Sequence, residues 1–598
     1  MHFLSSSGWR SMVSNGLNLR RNFGGPSRLL AWNGPLVTLL GLALALSVGL
    51  LLVRLPPLDA VLFVLLAVAG MATVIEPMAG LAVALFLGLL RAYLRTEVPQ
   101  VPAQIGQLFV VLALAAWVAR GLVRRNLRVH RLPLLLPLVV FSCAALVSLW
   151  DAVDLPNYGL PELIKWMQVV LLFLFVGGSL SQAGMETRPT CRGVGEAGME
   201  TRPTAGVGMC GWRRRLGWLL GVILLTGLFQ AGVGIWQFGL RGEGPDHFAI
   251  LTLGDRYYRA YGTFEQPNPY AGYIGLTLSL AMGVVIGVVG ERKIGGEGNK
   301  EARKQGGKEA KRQGGKETRK QGSREAGRRV LVPCPLVSLS PYPFVSLSPC
   351  LLVLFVVTLA LGAALATSWS RGAWLGFGAA VLVMAIALPR RAQWGGLLVA
   401  VLVVGGLGLY ASGLVPPSVA ARLTGFAEYV RFEDVRGVGI NDANYAVIER
   451  LAHWQAALEM FRHDLWTGVG FGCYEPAYAD FALVNWPIAL GHAHNYYLTV
   501  AAETGLVGLV AYLFLWGAVF WQTWRATRRA RGLLRGIAIG LLGCWTHLSV
   551  HHLLDNLYVN NVHLHIGVLL GLLAFVVQQT GEFANGRMSE SANERISE

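Results

Sequence analysis

The sequence predicts an all-α polytopic membrane protein, with about fourteen transmembrane helices and a small extracytoplasmic helical cap between spans 11 and 12. Three observations carry that prediction. Of 598 residues, 54% are hydrophobic and 14% charged, whereas a soluble domain carries about 25% charged residues. Apolar runs of about 18 to 22 residues recur, enough for a helix rising about 1.5 Å per residue to cross a ~30 Å hydrocarbon core. These runs are continuous, which excludes a membrane barrel, whose strands alternate over about ten residues.

Each span is placed by an apolar run and its polar flanks. The first four fall at 35–53, 59–75, 78–94 and 102–119, and the next four at 132–150, 161–181, 216–238 and 268–289. Spans at 350–367 and 372–388 form a tight hairpin, followed by one at 394–412. The last three occupy 496–523, 533–553 and 561–578. Orientation follows from the enrichment of Lys and Arg in short cytoplasmic loops. Arg120, Arg124, Arg125, Arg128 and Arg131, then Arg213 to Arg215, Arg390 with Arg391, and the arginines of 525–535 all fall on one side when counted from a cytoplasmic N-terminus. The C-terminus is then cytoplasmic too, and 150–162, 239–267 and 413–495 lie outside.

The organisation expected is a cytoplasmic tail at 1–34, membrane helices at 35–181, a low-complexity cytoplasmic loop at 182–215, and two helices with their outer loop at 216–290. A basic and Ser/Pro-rich insert at 291–349, three helices at 350–412, an outer loop domain at 413–495, three helices at 496–578 and a cytoplasmic tail at 579–598 complete it. The N-terminal arginines Arg10, Arg20, Arg21 and Arg28 precede no cleavage-site pattern, so that segment reads as a tail and not as a cleaved signal. Repeats lie in the loops: AGMETRPT at 183–190 and 197–204, then KEARKQGG, KEAKRQGG and KETRKQGS. Lacking apolar periodicity, these tracts are expected to be disordered and carry no assigned chemistry.

The formal net charge is +17, and 291–329 alone holds 14 Lys/Arg against 6 Glu. A basic tract between two spans marks the cytoplasmic side more simply than it marks a nucleic-acid partner. Seven cysteines, with no CxxC spacing, indicate neither a disulfide framework nor a zinc knuckle.

Three outward segments combine polar residues with the start of a membrane helix. Arg259 leads to Asn268-Pro269, where Asn268 can cap a helix. Ser370-Arg371-Gly372 forms the hairpin tip, and His494-Asn495 precedes a span that contains Glu503. Helix N-termini and guanidinium forks favour an anion, and a lipid-linked diphosphate is the anion found at that depth. The plainer alternatives stay open: Arg371 as an interfacial anchor, Arg259 as a solvated loop residue, His494 as a cap or interface contact. Glu503, inside an apolar helix, needs a partner or water in any case. His547 and His551 lie four apart with Asp555 one turn on, a spacing that can bind a transition metal, but no ligand set closes, and no metal is assigned. In the outer domain, Leu451, Trp454, Leu458 and Phe461 are expected to form the apolar face of a helix at 448–462.

In this order the segments resemble the O-antigen ligase and polymerase superfamily of membrane glycosyltransferases. The likeness lies in 259–268, Ser370-Arg371-Gly372, Arg450 with Trp454, the run GVGFG at 468–472, His494-Asn495 and Glu503-Thr504-Gly505, and covers roughly 215–575. It implies transfer of a glycan from undecaprenyl diphosphate to an acceptor hydroxyl on a lipid or protein at the outer face of the plasma membrane, without metal, nucleotide or other cofactor. Arg259 and Arg371 match the family arginines that hold the diphosphate, and His494 the histidine that activates the acceptor. Asn268, Ser370, Asn495, Glu503 and Arg450 are the expected substrate-binding residues. A polymerase or a protein oligosaccharyltransferase of the same superfamily, or, from another class, a bicarbonate-type secondary transporter, are the alternatives.

Overall fold

The computed structural model describes residues 53–98, 101–125, 132–185, 210–252, 255–312, 349–424, 434–441 and 444–597. Residues up to Met71 form one compact unit and those from Ala72 a second. The helices in chain order are α1 (Pro57–Ile75), α2 (Pro77–Leu89), α3 (Arg91–Glu97), α4 (Ile105–Val123), α5 (Leu135–Ser148), α6 (Leu160–Met185), α7 (Cys210–Ile235) and α8 (Pro267–Arg312). Then come α9 (Pro349–Thr367), α10 (Arg371–Ala387), α11 (Ala392–Ala411), three shorter helices α12 (Pro417–Thr424), α13 (Tyr445–His463) and α14 (Tyr474–Phe481), and finally α15 (Tyr496–Arg529), α16 (Gly532–His551) and α17 (Val562–Ser597). Proline opens α1, α2, α8, α9 and α12, because its fixed φ suits the first turn and its missing N–H costs nothing there.

The chain is a polytopic helical membrane protein. Among the described residues nine helices are long and apolar enough to cross a membrane, or ten if the bent pair α2–α3 counts as one. Fourteen crossings were expected. Three of the expected spans are helices shorter than 18 residues by that measure, within α1, α5 and α10, and the first, at 35–53, lies almost wholly outside the described residues.

Two further expectations are corrected. The basic insert is helical at its start, since α8 runs on to Arg312; Glu, Ala, Arg, Lys and Gln are all good helix formers, so the absence of an apolar face does not prevent helix here. The remainder of the insert and most of the AGMETRPT repeats lie outside the described residues. α17 continues through 579–597, so the segment expected as a tail is helical. The fold is also not purely helical: β1 (Ala249–Thr252) and β2 (Asp255–Tyr258) pair antiparallel, Ala249 opposite Tyr258.

Glycine sets the closest helix crossings. Gly283 and Gly287 of α8 meet Gly540 and Gly536 of α16, antiparallel, so tightly that a Cβ at Gly283 would lie 2.4 Å from Gly540 Cα and one at Gly536 2.3 Å from Gly287 Cα. Both are G-x-x-x-G pairs, which let backbones approach where lipid offers no hydrophobic drive. The antiparallel crossing brings the start of α8 and the end of α16 to one end of the bundle. α6 and α17 approach similarly at Gly567 and Gly571, against Val169 and Val176.

α15 is broken at Gly505, whose φ of 61° and ψ of −161° no helix contains. The break frees backbone groups, and the glycine-rich loop before α14 takes them up. Val469 N donates to Ala502 O at 3.0 Å and Gly470 N to Glu503 O at 3.1 Å, while Leu506 N donates to Leu465 O at 2.8 Å. Gly468, at φ 68°, lies where a Cβ would be 2.5 Å from Ala502 O, so the loop fits only as glycine. α13 packs its small-residue face here: Ile448, Ala452, Ala456, Ala457 and Met460 are buried, whereas Leu458 is 37% exposed. The expected face through Leu458 and Phe461 is therefore corrected by a rotation towards alanine, which permits close approach to α15.

Candidate functional site

The side chains singled out in the sequence converge at the end of the bundle where α8, α10 and α15 begin and α16 ends. The β-hairpin places Arg259: the ladder is prolonged by Arg259 N donating to Phe248 O at 2.9 Å, and Ala260 N donates to Thr367 O at 3.0 Å. Arg259 Nε then donates to Ser368 O at 3.1 Å and Nη2 to Asn268 Oδ1 at 3.1 Å. Ser370 Oγ donates to the same Asn268 oxygen at 2.9 Å. Asn268 is thus not the helix cap. α8 starts one residue earlier, at Pro267, and the amide is released to join segment 259–260 to the hairpin tip.

Arg371, the first residue of α10, lies across a cavity of about 450 Å³ from Arg259, together with Arg422 of α12 and Arg450 of α13. Arg422 Nη2 holds Trp369 O at 3.0 Å, in a tip where Trp369 takes φ 54°. The buried Nε of Arg422, the Nε of Arg450 and the indole Nε1 of Trp454 have no hydrogen-bond partner, and all three residues line this cavity. Buried donors are ordinarily satisfied, so a group of three orphans marks a missing acceptor. Leu375, Leu451 and Leu554 add apolar wall, and Asn268, Ser370 and His551 polar wall. Burial, then Arg422, Arg450 and Arg371, push the Arg259 guanidinium down to about 9 against the opposing pull of Asp555. Burial, Arg371 and Arg450 push Arg422 down to about 10. Both stay cationic at neutral pH, in a cavity with one carboxylate for four guanidinium groups.

His494 lines a second cavity, about 640 Å³, which shares Asn268, Arg450 and Asp555 with the first. Its backbone is left-handed, φ 54°, and is held by neighbours. Ala493 N donates to Thr499 Oγ1 at 3.2 Å, and Tyr496 N to His552 O at 2.8 Å, which ties the start of α15 to the loop after α16. His494 Nδ1 stands 3.7 Å from Asp555 Oδ1, and neither ring nitrogen has a hydrogen-bond partner. The surrounding histidines hold the Asp555 carboxyl well below its usual range in spite of burial. Asn495 is spent elsewhere: its Oδ1 accepts Tyr497 N at 3.0 Å and Leu498 N at 3.2 Å, capping α15, and it lines neither cavity. Glu503 lines the second cavity while accepting Tyr474 N at 3.3 Å.

The metal question turns on one hydrogen bond. Among the described residues the group with converging ligand atoms, within 4.8 Å of one another, is His492, His494 and Asp555. His547 does not join it, because its Nε2 bonds Gly272 O at 3.0 Å. His492 Nδ1 accepts His494 N–H at 3.0 Å, which leaves the ring proton on Nε2, the nitrogen that faces Asp555 at 3.6 Å. A cation between them would require His492 stripped of both protons. Burial and His494 hold His492 neutral, its pKa pushed down to about 4.

Arg422 and Asp555 were the residues that sequence reasoning did not place in the site. Arg422 has no motif around it; only the return of α12 over the hairpin tip brings it in. Asp555 was visible in sequence, but only as a partner one turn on from His551. Comparison with the curated proteins gives no match. Residues 354–513 match the family model described as O-Antigen ligase; this stretch, which is similar to that family, holds Arg371, Arg422, Arg450 and His494.

Proposed function

We propose that this membrane enzyme is a ligase-like glycosyltransferase, moving a glycan from undecaprenyl diphosphate to an acceptor hydroxyl at the outer face of the plasma membrane, with both termini cytoplasmic. The observation that carries the reading is the four-guanidinium cavity with its orphaned buried donors, sharing a wall with the His494–Asp555 pair. Arg259, Arg371, Arg422 and Arg450 would grip the diphosphate, with Leu375 and Leu554 beside the first isoprene units. Guanidinium forks meet phosphate oxygens two at a time, and this charge stabilises the departing diphosphate as the glycosidic bond breaks.

In this reading the acceptor hydroxyl enters from the second cavity. Its oxygen attacks the anomeric carbon, the C1–O electron pair leaves with the diphosphate, and the hydroxyl proton passes to His494 Nε2. Asp555 steadies the imidazolium through Nδ1, so the step inverts the anomeric centre. A positioned base contributes about 10²- to 10⁴-fold. Arg371→Ala and His494→Ala should each abolish ligated surface glycan in cells while the proteins remain in the membrane. Normal glycan from either well-expressed variant, or saturable solute uptake by the purified protein without glycan transfer, would remove the assignment.

A further inference from the structure

The two cavities carry opposite charge. The one assigned above to the donor has four guanidinium groups and only Asp555 against them. The other is lined by Glu162, Glu265, Glu449, Glu503 and Asp555, against Lys165 and Arg450. Lys165 and Glu162 are bonded to each other and cancel, and Arg450 and Asp555 both stand in the wall common to the two cavities, which leaves Glu265, Glu449 and Glu503 to this one. Gln266, Asn556 and Asn560 add amide groups to the same lining. His494 also lines this cavity, with neither ring nitrogen hydrogen-bonded.

We infer that this acidic cavity is the acceptor subsite, and that it selects an uncharged or amino-bearing polyhydroxyl acceptor while rejecting one with phosphate or carboxylate near the attacking hydroxyl. The inference rests on the glycosyl-transfer reading. Carboxylates and amide oxygens accept hydrogen bonds from sugar hydroxyls, and those to a carboxylate are the stronger kind. An ammonium substituent gains further attraction. An anionic substituent meets Glu265 and Glu449, which no cation of this lining pairs, a repulsive element of the sort that sets specificity by exclusion. The same field keeps the donor diphosphate from lodging on the wrong side of His494, so the two substrates are sorted by charge before they meet.

The test uses the full-length protein in lipid nanodiscs and three tetrasaccharides: a glucose tetramer, the same tetramer bearing one phosphate, and a glucosamine tetramer. The expected order is glucosamine at least as tight as glucose, with the phosphorylated tetramer about tenfold weaker or more, and the gap narrowing at high salt. Glu265→Gln with Glu449→Gln keeps shape and hydrogen bonding, so it should leave the glucose tetramer bound and shrink the gap several-fold. A phosphorylated tetramer that binds as well as the neutral one, a gap that the double variant leaves intact, or no binding by any tetramer overturns the inference. Farnesyl diphosphate binding, measured in parallel on wild type and Arg422→Ala, keeps the two readings apart. Its failure with tetramer selection intact removes the transferase reading alone, and the reverse result removes the acceptor inference alone.

Discussion

α10 carries arginines at both of its ends, and they are used in opposite ways. At its C-terminus Arg528 Nη1 donates to Pro389 O at 2.7 Å and Arg390 O at 3.2 Å, while Arg535 Nη2 donates to Ala387 O at 3.0 Å and Leu388 O at 2.7 Å. Arg535 thus takes the carbonyls of the last helical residue and its cap, which a helix end leaves without partners, and Arg528 the two that follow. Arg528 also stacks over Trp524 at 4.3 Å. At the N-terminus, about 24 Å away along sixteen residues, Arg422 and Arg450 keep a buried Nε without a partner. In the proposed reading, the arginines whose donors go to the backbone at the C-terminal end are architecture, and those that keep a buried donor at the other end are placed to receive an anion. Residue type and membrane depth do not separate the two, and donor accounting does.

The largest effect that could break this contrast is on turnover. Arg422→Ala combined with Arg450→Ala should lower glycan transfer by about 10²- to 10³-fold, in line with removing charged donors to a leaving group, and leave thermal stability near that of wild type. Arg528→Ala should do the reverse: unfolding stability down by about 1.5–3 kcal/mol for lost charge-assisted bonds, and transfer per folded molecule unchanged. Steady-state transfer together with a melting curve on each variant decides it. If Arg528→Ala costs as much turnover as the outer double variant, the two ends are not different in kind.

A subtler substitution sharpens the comparison. Asn268 accepts from Arg259 and Ser370 through one oxygen. Asn268→Asp would put a permanent carboxylate there, and Arg259 would spend its charge within the protein as Arg528 spends its bonds. Diphosphate affinity should fall about tenfold, with His494-dependent proton transfer unaffected, visible as a rise in KM for donor at nearly constant kcat. A fall in kcat alone would place Asn268 in the chemical step instead.

The contrast also explains what the sequence could and could not reveal. The helices were legible because continuous apolar runs admit few alternatives in a bilayer. Ser370, Arg371 and His494 were legible because each sits at a helix start with polar neighbours, and Arg259 because it leads into one. Arg422 was not, because a single arginine on an eight-residue helix becomes notable only when the chain folds back on the hairpin tip. Nor was the kink at Gly505: the break is specified jointly by that glycine and by 468–472, thirty-odd residues earlier. The G-x-x-x-G pairs at 283–287 and 536–540 are plain in the sequence, but which glycines meet is a property of the packing. Their meeting is what brings Asn268 and Asp555 to the same end.

The smallest expected effect concerns the histidines beside the site, which are neutral where the outer arginines are charged. His453 is pushed down to about 4 by burial and then by His494 and His492; it bonds Tyr474 Oη through Nδ1 at 3.0 Å and stacks on Tyr478 at 4.6 Å. His492 is likewise held near 4 by burial. Unfolded histidine titrates at about 6.5. Between about pH 6.5 and 4 the unfolded chain therefore takes up protons that the fold refuses, so stability should be flat above that window and fall as pH drops through it. The slope is at most about 1.4 kcal/mol per pH unit for each histidine. His453→Phe keeps the stacking and removes one titrating group, so its unfolding profile should fall less steeply between pH 6.5 and 4. An equally steep fall in the variant would mean that His453 is not held neutral, and that the positive charge of the site extends along α13 from Arg450 to His453.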